Sequence, residues 1–349
     1  MALKSRRSGP AQAFLVGIGL LAVIVLALAL WQVRWIVLLG FGAILAAILL
    51  NAAAWCLRRV LPMGQVSAVI LSVTLLILVG VAAFILLGAQ IVSGLLEIQT
   101  QIPEVIRTID SWIDLGDVES WIGARMDEPM QMGSVFSGLT SATSILIALG
   151  TGIALVFVGG VYLALNPEGY RDGALALAPA HLRPRLRQTM AALVRALRAW
   201  LVGQLVAMFA VFGMTTVGLW LLGVSTPIAL GAIAGLLEFV PYVGPLTSAV
   251  PAVAVGIMDG PTTALWVILL YFAVQQIEGA LLIPLIQREA VDLPPAITVF
   301  SIVGLGVLLG PLGVILAAPL TVVGVVLARE LWCPWMAARG VEEASEAAE

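Results

Sequence analysis

The 349 residues are 61% hydrophobic and only 11% charged, with a mean hydropathy of +1.11. A water-facing domain cannot be built from so few charges, so lipid is the solvent for most of this chain. The formal net charge of -3 is too small to imply nucleic-acid binding, and the distribution of charge matters more than its sum.

Backbone groups in hydrocarbon must pair internally, so apolar runs of about 20 residues are read as helices. The alternation of a membrane barrel is absent from them. Lys4, Arg6 and Arg7 precede the first run, 14–31, and Ala27, Leu28 and Ala29 come late in it, which together resemble a secretory signal. The run is long for a signal core, and another apolar run begins about three residues later, so an uncleaved first span is predicted. Further spans are predicted at 35–57, 66 to about 96, 143–165 and 200–222.

Basic residues orient this zigzag. Lys4, Arg6, Arg7, Arg58, Arg59, Arg171, Arg183, Arg185, Arg187, Arg195 and Arg198 fall on one side; Arg34, Arg107 and Arg125 fall on the other. The positive-inside rule makes the first side cytoplasmic and places 97–137 outside. Cys56 and Cys333 then lie near cytoplasmic segment ends, which argues against a disulfide framework.

The outer segment is acidic and helical in pattern. Ile91, Leu95, Ile98, Ile102, Val105, Ile109 and Trp112 recur at spacings of four and three, the seam of a coiled-coil-like contact, and Pro103 is placed to kink it. That seam either packs on the chain's own neighbouring helix or joins subunits. Residues 181–200 alternate arginines with Leu186, Met190, Leu193, Val194 and Leu197, a pattern suited to the surface of an anionic leaflet or to a basic topological loop.

From Ser225 onward the helices are interrupted. As a straight helix, 226–258 would run about 50 Å, well beyond a core of about 30 Å. It contains Pro241, Gly244, Pro245 and Pro251; residues 293–330 are broken likewise at Gly310, Pro311, Leu312 and Gly313. A shift of 68 positions lays Pro227 on Pro295 and Pro251 on Pro319, a weak internal repeat. Between the two lies an intact span, 262–286, which would give two re-entrant hairpins opposite orientations, as in inverted-repeat transporters. Kinked full spans, eight in all, are the competing reading; they place Arg288 outside, whereas hairpins keep it cytoplasmic.

Carboxylates in hydrocarbon are costly and mark pathways. Glu278 shares a helix face with Gln275 and Tyr271. Glu238 falls near the end of the first broken arm, where the helix pole is negative, so it should be protonated or hold a cation. Thr247 and Ser248 begin the next arm, where free amides could receive an oxygen-rich solute. The plain alternative is that Gln275 and Glu278 act as interhelical hydrogen-bonding glue. His181 is the only histidine and there is no phosphate-binding loop, so an enzyme, a metal site, a cofactor and direct drive by ATP are not expected.

The stretches GLLEFVPYVGP (235–245), QQIEGALLIPLI (275–286), VDLPPAITV (291–299) and GPLGVILAAPL (310–320) resemble the autoinducer-2 exporter family, the PerM-like permeases. Pro241, Gly244, Pro245, Gln275, Glu278, Pro284, Pro294, Gly310, Gly313 and Pro319 carry the resemblance. It implies export of small molecules, sodium or proton antiport in some members, and assembly of several protomers; Asn also occurs at the position of Glu238.

The expectation is thus an all-α polytopic membrane protein with about eight membrane elements, the last third holding two broken, hairpin-like elements in an inverted repeat. Its parts are three transmembrane helices (1–96), an acidic outer segment (97–137), a fourth helix (138–165), a basic cytoplasmic loop (166–199), a transport core (200–331) and a cytoplasmic tail (332–349). It sits in a bacterial inner membrane as a homo-oligomer with both termini cytoplasmic. The expected function is export of a small polar solute, with a sodium/proton antiporter or a non-transporting envelope scaffold as alternatives. The candidate site is Glu238, Pro241, Gly244, Pro245, Thr247, Ser248, Tyr271, Gln275, Glu278, Gly310, Pro311 and Gly313.

Overall fold

A computed structural model describes residues 10–82, 85, 150–282 and 294–332, and for 10–30 and 281–282 the backbone alone. All regular elements among these residues are helices. The coiled-coil-like seam, Pro103, the acidic outer segment, Pro284, Arg288 and Cys333 lie outside the described residues.

Helix α1, Pro10–Val60, is 51 residues long. Pro10 opens it at a position where a missing N–H costs nothing, and Arg58 and Arg59 close it against the negative helix pole. The two spans predicted at 14–31 and 35–57 are therefore one continuous helix. Gln32, Val33 and Arg34 interrupt hydropathy without interrupting helical geometry, since none is Gly or Pro. Arg34 instead lies over the Trp31 ring at 4.1 Å, with Trp35 at 5.7 Å. Between Trp35 and Trp55 the helix rises about 30 Å, one hydrocarbon thickness. Trp55 in turn carries Arg59 at 3.6 Å and Arg198 at 4.7 Å, a cationic stack suited to an interface.

Helix α2 (Gln65–Ala82) and helix α3 (Gly150–Leu165) pack on one side of α1 through small residues. A Cβ on Gly160 would stand 2.7 Å from that of Ala46, so only glycine permits this approach. At Asn166 the chain bends by 89° into α4, Pro167–Ala176. The proline disfavours helix at the residue before it, and the Asn166 side chain caps the new helix by accepting from Gly169 N at 3.0 Å.

Helix α5, Arg183–Leu221, has 39 residues and is the axis of the molecule. Its basic first turns and the span predicted at 200–222 form one element. On one side it meets α1 and the last long helix; on the other it meets α6 (Pro227–Leu237) and α8 (Pro261–Ile277), and α7 (Val243–Met258) packs against those two. Gly231 and Gly235 let α6 lie directly on α5, since a Cβ at Gly231 would overlap Thr216 and one at Gly235 would stand 2.7 Å from Met208 O. A π-helical turn, Glu278–Leu282, continues α8.

The last helix, α9 (Pro295–Leu327), is not straight. Gly310 has φ 67° and ψ -155°, outside helical space and in the region glycine tolerates. A Cβ on Gly313 would overlap Leu305 O, and one on Gly306 would stand 2.8 Å from Val314 Cγ2. Residues eight apart in a straight helix are about 12 Å apart, so the chain doubles back on itself at Gly310. A second π-helical turn, Ala328–Trp332, ends beside the start of α5, where Arg185 Nη2 donates to Leu331 O at 3.0 Å.

By length and composition, five described helices can cross a membrane, and a sixth results if the bent pair α3 and α4 is one span. The chain is an all-α, multi-pass membrane protein.

Candidate functional site

The joint between α6 and α7 is built by prolines. Pro241 offers no N–H, and Val240 before it is pushed from helical geometry, so α6 ends at Leu237 with Glu238 as its cap. Tyr242 then takes φ 66°, a left-handed conformation that costs a non-glycine residue energy. Gly244 seats the start of α7 against the end of α6, because any side chain there would overlap Leu237 O.

This folding places Glu238 inside the protein, at 2% exposure. Its backbone carbonyl accepts from Gln204 Nε2 of α5 at 2.6 Å. Its Oε2 has no hydrogen-bond partner among the described residues. The carboxyl of Glu278 is its electrostatic neighbour. Glu278 stands at the start of the π-turn and accepts from Gln275 Nε2 at 2.9 Å. Single π-turns recur where a helix is adapted for function. About two turns before Glu278 on α8, the buried Tyr271 hydroxyl donates to Ser248 O of α7 at 3.2 Å. Tyr271, Gln275 and Glu278 thus share the face expected of them, with Glu238 opposite.

Two carboxylates in contact repel strongly in a medium of low dielectric constant. A proton or a cation shared between the two carboxyls would relieve that repulsion.

Other expected members stand differently. Thr247 Oγ1 donates to Val243 O at 2.8 Å, and Ser248 Oγ donates to Pro245 O at 3.1 Å, so both hydroxyls are turned onto their own helix. The amides of Val243 and Gly244 are engaged as well, by Pro241 O and Val240 O at 2.8 and 2.9 Å. The open amides predicted at the start of this arm are thus occupied at these positions, because the tight joint brings its own carbonyls to them. Gly310, Pro311 and Gly313 form the tip of the doubled-back α9, beside Trp35. They join the carboxyl pair only through packing: Phe239, next to Glu238, meets the Trp200 ring edge-on at 5.9 Å and packs into the same cluster as Leu309, Leu312 and Leu316.

Gln204 is the site residue that sequence reasoning missed. Its only signal is a lone amide within the apolar run that follows Trp200.

Apolar helices with broken elements and an inward-facing carboxyl pair are features met in membrane transporters. Residues 20–331 match the model of the AI-2E family transporter, and the chain belongs to that family. It is 32% identical to YueF of Bacillus subtilis (strain 168), a candidate transport protein, over 52% of this chain and 50% of that one. With the candidate transport protein MT0215 of Mycobacterium tuberculosis (strain CDC 1551 / Oshkosh) it shares 27% identity over 79% of this chain and 77% of the relative. With the AI-2 transport protein TqsA of Escherichia coli (strain K12) it shares 32% identity over 27% of each chain. The chain thus spans about half the length of YueF and a quarter of TqsA.

Proposed function

We propose that this protein exports a small polar solute, of the class for which TqsA is named, along its own gradient or against a cation exchanged at Glu238 and Glu278. The observation that carries this reading is the 2% exposed Glu238 with an unpartnered Oε2 set against a second carboxyl at a helix break. Ionisable groups within a membrane face the bundle interior or a wet cavity and mark ion and solute pathways. A second reading, sodium/proton antiport, is favoured by the same oxygen-only pair, which suits a hard cation or a proton. Reconstituted protein assayed with a panel of polar solutes and cations separates the two. Flux of a solute supports export, flux of cations alone supports antiport, and flux of neither refutes both.

Alternating access would come from movement of the broken elements against α1 and α5. Parity supports reading both as return loops. Arg185, at the start of α5, touches Leu331, at the end of α9, so the chain between them crosses the bilayer an even number of times. Helices α5 and α8 make two crossings; α9 doubles back, so the α6 and α7 pair returns too. A maleimide that cannot cross the bilayer is expected to label Asp259→Cys from outside, and labelling only from the cytoplasmic side would refute the return loops.

A further inference from the structure

Arg34 has no role in the carboxyl pair, yet its surroundings are unusual. It lines a cavity of about 610 Å³ between α1 and the doubled-back α9, with Leu38, Ser301, Leu305, Thr321 and Val325 among its walls. Apart from the hydroxyls of Ser301 and Thr321 the other walls are apolar, and the Thr321 hydroxyl is already committed to Ala317 O at 2.7 Å. The guanidinium Nε and Nη1 are shut off from solvent and have no hydrogen-bond partner among the described residues. Stacking on Trp31 offsets part of the cost of an unpaired cation in such a place, but leaves those donors unused.

We propose that this cavity is a binding site for an acidic membrane phospholipid. On binding, the guanidinium turns its unused N–H groups to the phosphate, and the apolar walls take an acyl chain. Three features select this occupant. The volume falls within the roughly 300–1,000 Å³ of small-molecule sites, but only one cation lines it, so the ligand is a single anionic head on a long apolar body. A planar guanidinium with free donors matches phosphate geometry in a bidentate manner. The flanking Trp31 and Trp35 are the residues that anchor a helix at headgroup level, the depth at which a lipid phosphate lies. A lipid held there would wedge between α1 and the hairpin arms, joining a moving element to a fixed one.

The test uses the full-length protein in detergent, native mass spectrometry as readout, and phosphatidylglycerol or phosphatidylcholine of matched chains as probes. The wild type is expected to retain phosphatidylglycerol preferentially, and Arg34→Gln to lower that retention by about tenfold or more, since a charge-assisted bidentate contact is lost. Arg34→Lys should restore part of it, and Leu305→Trp, which fills the cavity without touching the charge, should lower it. Equal retention of the two lipids by the wild type overturns the proposal. So does unchanged retention in Arg34→Gln. The readout needs no transport assay, so the outcome is independent of the function proposed above.

Discussion

Glu278→Gln is expected to reduce solute flux in proteoliposomes to the level of protein-free vesicles, with membrane insertion and oligomer size unchanged. The amide keeps the size of the side chain, and its carbonyl still accepts from Gln275 Nε2, so the 2.9 Å contact that holds the π-turn survives. What disappears is the second carboxyl facing Glu238. A lone buried carboxyl can stay protonated and inert, whereas the pair must take up and release a cation or proton as its surroundings change. Undiminished flux in this variant would remove Glu278 from the site. If insertion failed instead, the plain reading of Gln275 and Glu278 as interhelical glue would gain.

Gly244→Ala is expected to be nearly as damaging, for a steric reason. Its new methyl would overlap the carbonyl of Leu237, and a backbone atom cannot rotate away as a side chain can. The joint between α6 and α7 must open, at a cost of about 3 kcal/mol, the upper end of typical overpacking. Opening shifts Glu238, one residue past the obstructed carbonyl, away from Glu278. Both a lower melting temperature in detergent and loss of flux should follow. Gly279→Ala is the control: it lies next to Glu278 but has nothing within 4 Å of the added methyl, so it should leave both measurements near wild type. Equal tolerance of the two substitutions would contradict the close joint.

How much of this was legible beforehand varies with the kind of signal. Proline and glycine act locally, so the breaks at Pro241 and Gly310 could be placed from the chain alone. The helix period also put Tyr271, Gln275 and Glu278 on one face. Long-range packing is not written in any local pattern. That Glu238 would meet Glu278, or that Gln204 would hold its carbonyl, depends on how α5, α6 and α8 pack. The joining of 14–31 to 35–57 was hidden for another reason: hydropathy dips at Gln32 and Arg34, but no residue there bends a helix. Arg34 was legible only as a topological charge, because the cavity beside it is formed by α9, more than 250 positions away.

Cation exchange at Glu238 and Glu278, as proposed, would couple an ion gradient to the solute. Solute flux should therefore be measured in proteoliposomes under imposed sodium or proton gradients, for the wild type and for Glu238→Gln with Glu278→Gln together. The wild type is expected to respond to one of the gradients and the double variant to neither. A gradient response that survives the loss of both carboxyls would contradict the account.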